Sequence, residues 1–587
     1  MLLDKIIKFP AVKILTTREH STMAVLAVIV GVAAGFGAVG FRYLINFIQK
    51  IAYGSPDELL GIVSSIPWYL RIAIPAAGGL IVGPMVYFLA REAKGHGVPE
   101  VMEAIALRSG IIRKRIVAVK TLASAICIAS GGSVGREGPI VQIGSAIGSV
   151  VGQLINTSAD RMRTLVGCGA AAGIAATFNA PIAGSMFALE IILGDFGVAT
   201  FSPIVISSVT ATAISRHFLG DFPAFAVPAY ELVSVWEFPL YMTLGLVCAI
   251  IALLFIKVLY FAEDAFERVR FPEYLKAAVG GVMLGSMGLL FPQILGVGYG
   301  AIDLSLAQEL SWWLLLMLIL IKILATSITI GSGGSGGIFA PSLFLGAMTG
   351  GAFGILVNHF FPDITASSGA YAIVGMAAVV SATTHGPLTA ILMLFEMTGE
   401  YKIILPLMIT CIVSSLAIRN FSRESIYTLK LMRRGVNIQE GREVNVLKSI
   451  SVKDVMNPNV ETVTERMNQS EISERVTRSK YNSFPMLDHT GKLMGILSFN
   501  DYRDAIFNED LKELLIARDL ATTNLVTVTM ENNLYDALEL ITQKDFSIMP
   551  VVSSKDPSHL MGVLSRRDII GAYDKAVIKI SLLEEAK

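Results

Sequence analysis

The chain has 587 residues, of which 53% are hydrophobic and only 16% are charged, with 47 acidic and 47 basic side chains. A soluble protein carries about 25% charged residues, so the composition excludes an ordinary soluble protein. The formal net charge of zero gives no indication of nucleic-acid binding. We therefore predict a polytopic α-helical membrane protein.

Apolar segments recur along the chain from residue 22 to residue 418. Examples are Met23–Ile48, Ile72–Leu89, Leu240–Tyr260 and Trp312–Ile330. Several of them approach or exceed the ~20 residues that cross the hydrocarbon core of a bilayer. The segments are unusually short and broken, because glycine-rich stretches interrupt them at residues 131–138 and 331–337.

Basic residues predict the orientation in the membrane. They are concentrated in the first twenty residues, in a predicted loop Arg108–Lys120, and in Arg423–Arg434 after the last apolar segment. The positive-inside rule places all three regions in the cytoplasm. We therefore expect both termini in the cytoplasm of a multi-pass protein of the cell membrane. We identify no removable signal peptide.

The cysteines give no sign of a metal site or a disulfide. All four lie in apolar segments without paired spacing: Cys127, Cys168, Cys248 and Cys411. They are typical of small buried residues. The sequence also contains no recognisable pairing of a nucleophile with a base, so we predict no catalytic residues, no metal ligands and no enzymatic activity.

The hydropathy falls near residue 420, and we place a domain boundary within Gly435–Val444. Residues 1–440 are predicted to form a transmembrane transport domain and residues 441–587 a cytoplasmic domain. The cytoplasmic part is a tandem repeat, since Thr462-Val463-Thr464 recurs as Thr527-Val528-Thr529. The two units cover about residues 448–508 and 513–575. Each is predicted to contain a short strand, a helix, two apolar strands and a closing helix.

The membrane part also repeats itself. Gly169–Pro181 aligns with Gly375–Pro387, and Gly138–Gly144 aligns with Ala340–Gly346. Two halves with broken helices at equivalent positions indicate a transporter whose site lies at the interface of the repeats, near the middle of the membrane. We infer that the repeats are inverted.

Three glycine-rich motifs are the strongest indication of function. They are Gly95–Glu100, Gly135–Pro139 and Gly336–Pro341, and each combines glycines with a proline suited to a helix start. The first residues of a helix present unpaired N–H groups and a partial positive charge. Three such ends that converge would hold a small anion without a buried full cation. The second motif also carries Arg136 and Glu137, and a charge near the bilayer centre costs about 3 kcal/mol or more.

With these motifs the chain resembles the CLC chloride channels and chloride/proton antiporters. The resemblance covers nearly the whole chain, and Gly135–Pro139 and Gly337–Pro341 carry most of it. It implies a fold of inverted repeats with many short, tilted helices. It also implies a homodimer in which each subunit has its own anion path.

The resemblance assigns roles to individual residues. Glu137 matches the external gating glutamate, which competes with the anion and moves aside when protonated or displaced. Tyr427 matches the tyrosine whose hydroxyl closes the central site from inside. The anion-binding candidates are His96, Gly97, Arg136, Gly138, Ile338, Phe339, Ala340 and Tyr427. Ile338 and Phe339 would bind through their backbone N–H groups, and Arg136 mainly through its N–H group and positive field.

His96 departs from the pattern of the family, in which many members have a serine that hydrogen-bonds the central anion. A histidine ring N–H can donate to an anion, more strongly if the ring is charged. In the alternative arrangement the ring points away and only backbone N–H groups serve. Chloride remains the expected anion under both.

Ile191 is the second departure. The internal proton-transfer glutamate of many antiporters falls at this position, and isoleucine cannot carry a proton. Glu190 is one residue away, about 100° round an α-helix, so we expect it to face elsewhere as a structural partner. Glu137 alone would allow gating by external pH without the exchange of chloride and protons in a fixed ratio. Both passive conduction and proton-coupled exchange therefore stay open.

The cytoplasmic part resembles a pair of CBS domains, a module that often binds adenine nucleotides between its repeats. Ser498 with Asp501 and Ser565 with Asp568 match the pattern whose aspartate holds ribose hydroxyls. Serine and aspartate before a helix are also ordinary helix caps. Nucleotide binding and a structural or dimerising role are both retained, and no other cofactor is expected.

The sequence favours anion transport over two other classes of function. A CBS-linked divalent-cation channel would need acidic residues along its path, whereas the glycine motifs present N–H donors. A membrane-embedded sensor or enzyme has no supporting motif. We therefore predict a membrane-embedded transporter of chloride and other small anions. Protons are retained as a second substrate in the alternative of proton-coupled exchange.

Overall fold

The computed structural model describes residues 19–56, 59–221, 225, 232–436, 447, 450–479, 481–499, 501, 515–544 and 546–585. The chain divides into two compact units, Met1–Val436 and Asn437–Lys587. The first unit is helical, and the second contains two small sheets. These features confirm the predicted fold class.

The first unit consists of helices joined by short loops. In the described residues they are α1 (Glu19–Tyr53), α2 (Leu59–Ser65), α3 (Trp68–Leu89), α4 (Val98–Leu107), α5 (Arg115–Ala129), α6 (Glu137–Leu154), α7 (Ala159–Phe178), α8 (Pro181–Met186), α9 (Val198–Leu219), α10 (Glu237–Arg268), α11 (Glu273–Leu290), α12 (Tyr299–Leu306), α13 (Trp312–Gly331), α14 (Phe339–Phe360), α15 (Ser368–Thr384), α16 (Pro387–Thr398), α17 (Ile404–Arg419) and α18 (Thr428–Arg433). Single 3₁₀ turns lie at Arg91–Ala93, Pro292–Ile294 and Tyr401–Ile403.

Seven helices of the described residues are long and apolar enough to cross a membrane. They are α1, α3, α9, α10, α13, α14 and α17. Several of the other helices, such as α4, α8 and α16, are too short to span it alone, as the glycine-interrupted apolar segments predicted. Short helices leave their ends inside the unit, where free N–H groups become available to a ligand.

Glycines allow the same close helix packing in both halves of the membrane unit. α6 crosses α7 where a Cβ on Gly144 would lie 2.1 Å from the carbonyl oxygen of Gly169. α14 crosses α15 where a Cβ on Gly346 would lie 2.3 Å from the carbonyl oxygen of Gly375. Small residues let helix backbones approach in this way in membranes. The two contacts relate the halves that the sequence repeat had identified.

Two short helices, α8 and α16, follow α7 and α15. Each preceding helix ends in a left-handed residue, Asn179 with φ 59° and His385 with φ 58°, and the next helix begins at a proline. α8 continues as a π-helical turn, Phe187–Leu193. This turn differs from the α-helix assumed in the sequence analysis, so the predicted angle of 100° between residues 190 and 191 does not apply.

The second unit contains two similar modules. The strands are β1 (Val463–Thr464), β2 (Ser483–Leu487), β3 (Leu493–Ser498), β4 (Val528–Thr529), β5 (Ile548–Val552) and β6 (Leu560–Ser565). The helices are α19 (Gln469–Arg478), α20 (Ala517–Leu520), α21 (Leu534–Gln543) and α22 (Arg566–Glu585), with a 3₁₀ turn at Val452–Asp454. In each sheet the first strand pairs parallel to the second, and the second antiparallel to the third. The closing helix of the first module lies mostly outside the described residues.

Candidate anion site

The three glycine-rich motifs meet in the membrane unit. The amide of Gly95 donates to the carbonyl of Gly334 at 3.0 Å, and the amide of Gly336 donates back to Gly95 at 3.2 Å. Gly135 and Gly337 exchange two hydrogen bonds of 2.7 and 2.6 Å. These bonds hold together loops that are far apart in sequence. The convergence of the motifs that the sequence analysis inferred is therefore present.

Each loop leads directly into a helix. α4 follows Gly97 with φ 85°, α6 follows Arg136, and α14 follows Ile338. The first amides of each helix, including those of Gly138, Phe339 and Ala340, have no acceptor within their own helix. The site therefore gathers N–H donors and the positive ends of helix dipoles, which suits an anion.

Gly138 is where the backbone segments approach most closely. A Cβ at this position would lie 2.1 Å from the carbonyl oxygen of His96 and 2.9 Å from the Cα of Gly337. No other residue fits without displacing backbone. This contact explains why a glycine directly follows Glu137.

The Glu137 side chain lies among these helix ends and is 1% exposed. Its Oε1 accepts a hydrogen bond of 2.8 Å from the hydroxyl of Tyr299, while Oε2 has no partner in the described residues. Gly135 leaves the space that the carboxylate occupies, since a Cβ there would lie 2.0 Å from Oε2. The carboxylate therefore stands where it can compete with an anion for the same donors.

Tyr299 was missed by the sequence analysis. It begins α12 after Gly298, and its ring lies under the Arg136 guanidinium, 5.4 Å from the ring centroid. The signal was in the repeat, because Gly296–Gly298 occupies in the second half the place of Gly95–Gly97 in the first. This equivalence is seen only once the two loops are located in the structure.

His96 and Tyr427 line the site on another side. Their ring centroids are 5.7 Å apart, and both residues are buried. Both ring nitrogens of His96 are buried without a partner in the described residues. Of the two arrangements considered for His96, this geometry favours the ring that faces the site. Tyr427 lies close enough to Glu137 for their charges to interact.

Phe339 contributes an apolar wall in addition to its amide. Its ring packs against Phe178 at 5.8 Å and against Phe187 at 6.4 Å between centroids. These contacts fix the start of α14 and exclude water from that side. A dry wall strengthens the electrostatic interactions within the site.

Lys120 corrects one prediction. We expected it in a cytoplasmic loop, but it lies in α5, fully buried, and its Nζ donates to the carbonyl oxygens of Ala93 and Gly95 at 3.0 and 2.8 Å. Each loop end leaves buried carbonyl groups that need donors, which the lysine provides. Lys322 does the same in the second half, donating to Ile294 and Gly296 at 3.0 and 3.3 Å.

Glu190 has a structural partner, as expected. Its carboxylate accepts from the amides of Leu388 and Thr389 at 3.1 and 2.7 Å and so caps α16. Ile191 is 7% exposed and packs beside Gly386. No carboxylate therefore occupies position 191, and Glu190 is engaged elsewhere.

In the second unit, both serine–aspartate pairs form helix-capping hydrogen bonds. Ser498 donates from N and Oγ to Asp501 Oδ2, both at 2.8 Å. Ser565 donates to Asp568 Oδ2 at 3.0 Å from N and 2.5 Å from Oγ. These contacts are those expected of helix caps, which is the alternative to a role in nucleotide binding. In the described residues no group of three or more His, Cys, Asp or Glu could hold a metal.

Comparison with known families identifies the family of this chain. Residues 78–419 match the family described as voltage gated chloride channel, and residues 452–508 and 517–575 each match the CBS domain. The chain belongs to the voltage gated chloride channel family. The second unit of this family member is a CBS pair.

Individual relatives agree with this assignment. A protein of Ralstonia nicotianae, named for its likeness to the chloride channel protein ClcB, is 36% identical over 70% of this chain and 97% of its own. The H(+)/Cl(−) exchange transporter ClcA of Citrobacter koseri is 32% identical over 71% of this chain and 90% of its own.

Solved structures share the fold. A slow cyanobacterial Cl−/H+ antiporter aligns with a TM-score of 0.65 at 27% identity, covering 70% of this chain and 97% of its own. A eukaryotic CLC transporter aligns with a TM-score of 0.62 at 20% identity, covering 93% and 97%. The second alignment shows the fold alone. It extends over most of the chain of this family member, including the part beyond residue 419.

Proposed function

We propose that this family member transports chloride across the membrane through the convergence of α4, α6 and α14, with Glu137 as the gate. The observation that carries the proposal is the Glu137 carboxylate, which is buried at the starts of α6 and α14, interacts with the amides of Glu137 and Ala340, and accepts a hydrogen bond from the hydroxyl of Tyr299. A chloride ion that displaces the carboxylate, or a proton that neutralises it, would free these donors.

His96 is proposed as a neutral ligand of the anion. The ring is fully buried, and the cations Lys120, Lys430 and Arg434 act on it. Neighbouring positive charge and burial both disfavour a charged imidazole. A neutral ring still offers one N–H donor, which would replace the serine hydroxyl of related proteins. Tyr427, 5.7 Å away between ring centroids, would close the inner end.

Two modes of transport are proposed. The relatives named as H(+)/Cl(−) exchange transporters favour exchange. Ile191 favours passive conduction or exchange by a different internal proton path, because position 191 carries no titratable group. A divalent-cation channel receives no support, since the family is one of chloride transport.

Assembly and orientation form part of the proposal. The family resemblance supports a homodimer with one anion path in each subunit, and the basic segments support cytoplasmic termini in the cell membrane. Adenine nucleotide at the CBS pair is the proposed regulator. Asp501 and Asp568 each have one carboxylate oxygen that the serine contacts do not use.

Chloride flux from liposomes is the direct test. Purified protein should release chloride when a potassium ionophore dissipates the charge, and should release no Mg²⁺ under a magnesium gradient. Flux of magnesium without chloride would overturn the proposed function.

The gate is tested by Glu137→Gln, which cannot ionise. We expect flux that no longer depends on pH, because the amide stays neutral at every pH. Glu267→Gln is the control, since Glu267 is exposed at the end of α10. If the Glu137 variant retained the pH dependence of the unaltered protein, another residue would be the gate.

The reversal potential under combined chloride and proton gradients separates the two modes. A passive channel reverses at the chloride equilibrium potential at every proton gradient, whereas an exchanger shifts with pH. For the CBS pair, ATP titrated against the full-length protein should bind saturably and more weakly after Asp568→Ala. Absence of binding at millimolar ATP would leave the pair structural.

A further inference from the structure

The first glycine-rich motif ends in a carboxylate to which the proposed function gives no role. Glu100 lies in the first turn of α4, the helix that follows Gly97. Its side chain is only 8% exposed, and its Oε1 lies 3.5 Å from the Nζ of Lys430 and 3.3 Å from Nη2 of Arg434. The side chain of Lys430 is 10% exposed. Glu100 is therefore a buried negative charge that faces two cations, one within α18 and one at its end.

The two cations lie beside the candidate anion site. The Nζ of Lys430 reaches the loop before α4, since a Cβ on Gly95 would lie 2.8 Å from it. His96 is the next residue, and the charges of Lys430 and Arg434 act on its ring. α18 also follows directly on Tyr427, whose ring centroid is 5.7 Å from that of His96. The positive field of these cations therefore extends to the place that we assign to the anion.

Two other carboxylates neutralise these cations less completely. Glu263 on α10 lies 4.0 Å from Lys430, and Glu103 on α4 lies 3.0 Å from Arg434. The side chain of Arg434 is 43% exposed, so water screens its pair with Glu103. Of the acidic residues that the structure describes, Glu100 is the one that forms an ion pair with both cations.

We propose that Glu100 is a positioning residue that limits how tightly the anion is held, because it neutralises Lys430 and Arg434 behind the site. This role rests on the proposed function. Conduction requires an ion that binds well enough to enter and weakly enough to leave. Unneutralised cations in a buried setting would strengthen anion binding, because charges interact more strongly where water is scarce. Glu100 acts through the two cations and favours release of the anion.

Chloride affinity is the first readout. Isothermal titration of chloride into protein purified in a gluconate salt measures the dissociation constant. Glu100→Gln should lower it by about threefold or more, because a negative charge near the anion is lost. Glu100→Asp keeps the charge and should lie nearer the unaltered protein. Glu103→Gln is the matched control, since it removes the same charge one turn later on α4. Its effect should be smaller, because its partners Arg108 and Arg434 are 38% and 43% exposed.

Removal of the cation provides the opposite change. Lys430→Met should raise the dissociation constant, and the double variant with Glu100→Gln should lie between the two single variants. A pair that only supported the fold would give weaker binding whichever partner was removed. Thermal unfolding in detergent identifies any variant that does not fold. If Glu100→Gln is one of them, the comparison of Lys430→Met with the double variant measures the same substitution where its cationic partner is absent.

Flux separates binding from turnover. In liposomes, Glu100→Gln should lower both the chloride concentration for half-maximal flux and the maximal rate, because an ion that is held more tightly leaves more slowly. Glu103→Gln should change both quantities less. A loss of folded protein would lower the maximal rate alone, so the combined change identifies an effect on the bound anion.

The outcomes distinguish this proposal from the proposed function. If the unaltered protein binds and carries chloride, then an unchanged or raised dissociation constant in Glu100→Gln would overturn the role of Glu100 alone. Equal effects of Glu100→Gln and Glu103→Gln would also overturn it, since the charge would then act through general electrostatics of the surface. If the unaltered protein neither bound nor carried chloride, the proposed function would fail and this role with it.

Discussion

The two halves of the membrane unit use the same backbone arrangement with different side chains. In the first half, a glycine loop precedes α4, Lys120 holds the loop carbonyls, and α6 begins at Glu137. In the second half, a glycine loop precedes α12, Lys322 holds the carbonyls, and α14 begins at Phe339. The repeat therefore builds free helix ends twice, and the side chain at the helix start determines what each end does.

The difference between Glu137 and Phe339 assigns the roles. Phe339 is apolar and packs against other rings, so its helix start offers only amides to an anion. Glu137 adds a negative charge to a start of the same kind, where under the proposed function it would compete with the anion. A backbone anion site can thus be duplicated freely, whereas a gate requires one carboxylate at one of the two ends.

Gly138→Ala should disrupt the convergence. Its Cβ would meet the His96 carbonyl oxygen at 2.1 Å, and overpacking of this kind costs about 1–3 kcal/mol or more. We expect loss of chloride flux and a lower thermal unfolding midpoint in detergent. Gly40→Ala on α1 is the control, because a Cβ there meets nothing within 4 Å. In the second half, the position that corresponds to Gly138 is Ala340, which already carries a Cβ. Normal flux in Gly138→Ala would therefore show that the two halves tolerate a Cβ equally well.

Replacing each buried lysine by methionine should destabilise the protein to a different degree at each of the two loops. Lys120→Met leaves two buried carbonyls without a donor and removes a positive charge near Glu100. We expect it to lower the free energy of unfolding by about 2 kcal/mol or more. Lys322→Met should cost less than half as much, because no described carboxylate interacts with Lys322 and its own burial is unfavourable.

Denaturation of the purified protein measures both effects. Lys257→Met, at an exposed position of α10, is the control. A larger loss of unfolding free energy for Lys322→Met than for Lys120→Met would contradict the stabilising role given to the Lys120 charge near Glu100.

The two glutamates that cap each other's helices should also differ. Glu190 accepts from three donors, namely the amides of Leu388 and Thr389 and the Thr389 hydroxyl. Glu396 accepts from two, the amides of Ile182 and Ala183 at 3.1 and 2.7 Å. Removal of a cap costs about 1 kcal/mol, so Glu190→Gln should lower the unfolding midpoint more than Glu396→Gln. Equal shifts would show that the number of donors does not matter here.

The smallest effect is expected at the left-handed residues that end α7 and α15. His385→Gly should raise the free energy of unfolding by about 0.5–1 kcal/mol, because glycine adopts φ 58° without strain. Asn179→Gly should gain nothing, because the asparagine side chain binds Asp221 at 2.9 Å and Arg216 at 2.6 Å. Thermal unfolding of the two variants tests this, and a stabilised Asn179→Gly would contradict it.

Much of the fold and part of the site were predictable. Apolar segments, the two repeats and the glycine–proline motifs predicted membrane helices, a divided chain and three converging helix starts, since these depend on local composition and backbone geometry. The predicted loop position of Lys120 was wrong, because a lysine in a basic stretch is ordinarily solvated. Only the position of the loop carbonyls reveals its hydrogen-bond partners. Tyr299 was missed because the equivalence of its loop with Gly95–Gly97 is seen only in the structure.

By itself, the sequence determined the class of protein, the glycine–proline starts of the helices and the position of Glu137 at one of them, because hydrophobicity, glycine and proline act locally. Only the tertiary structure decided which groups meet: Tyr299 with Glu137, His96 with Tyr427, and Glu100 with Lys430. Contacts of this kind join segments separated by many residues, and their geometry follows from how the helices pack. Glu137 was thus predictable as a candidate gate, whereas its surroundings were a result of the fold.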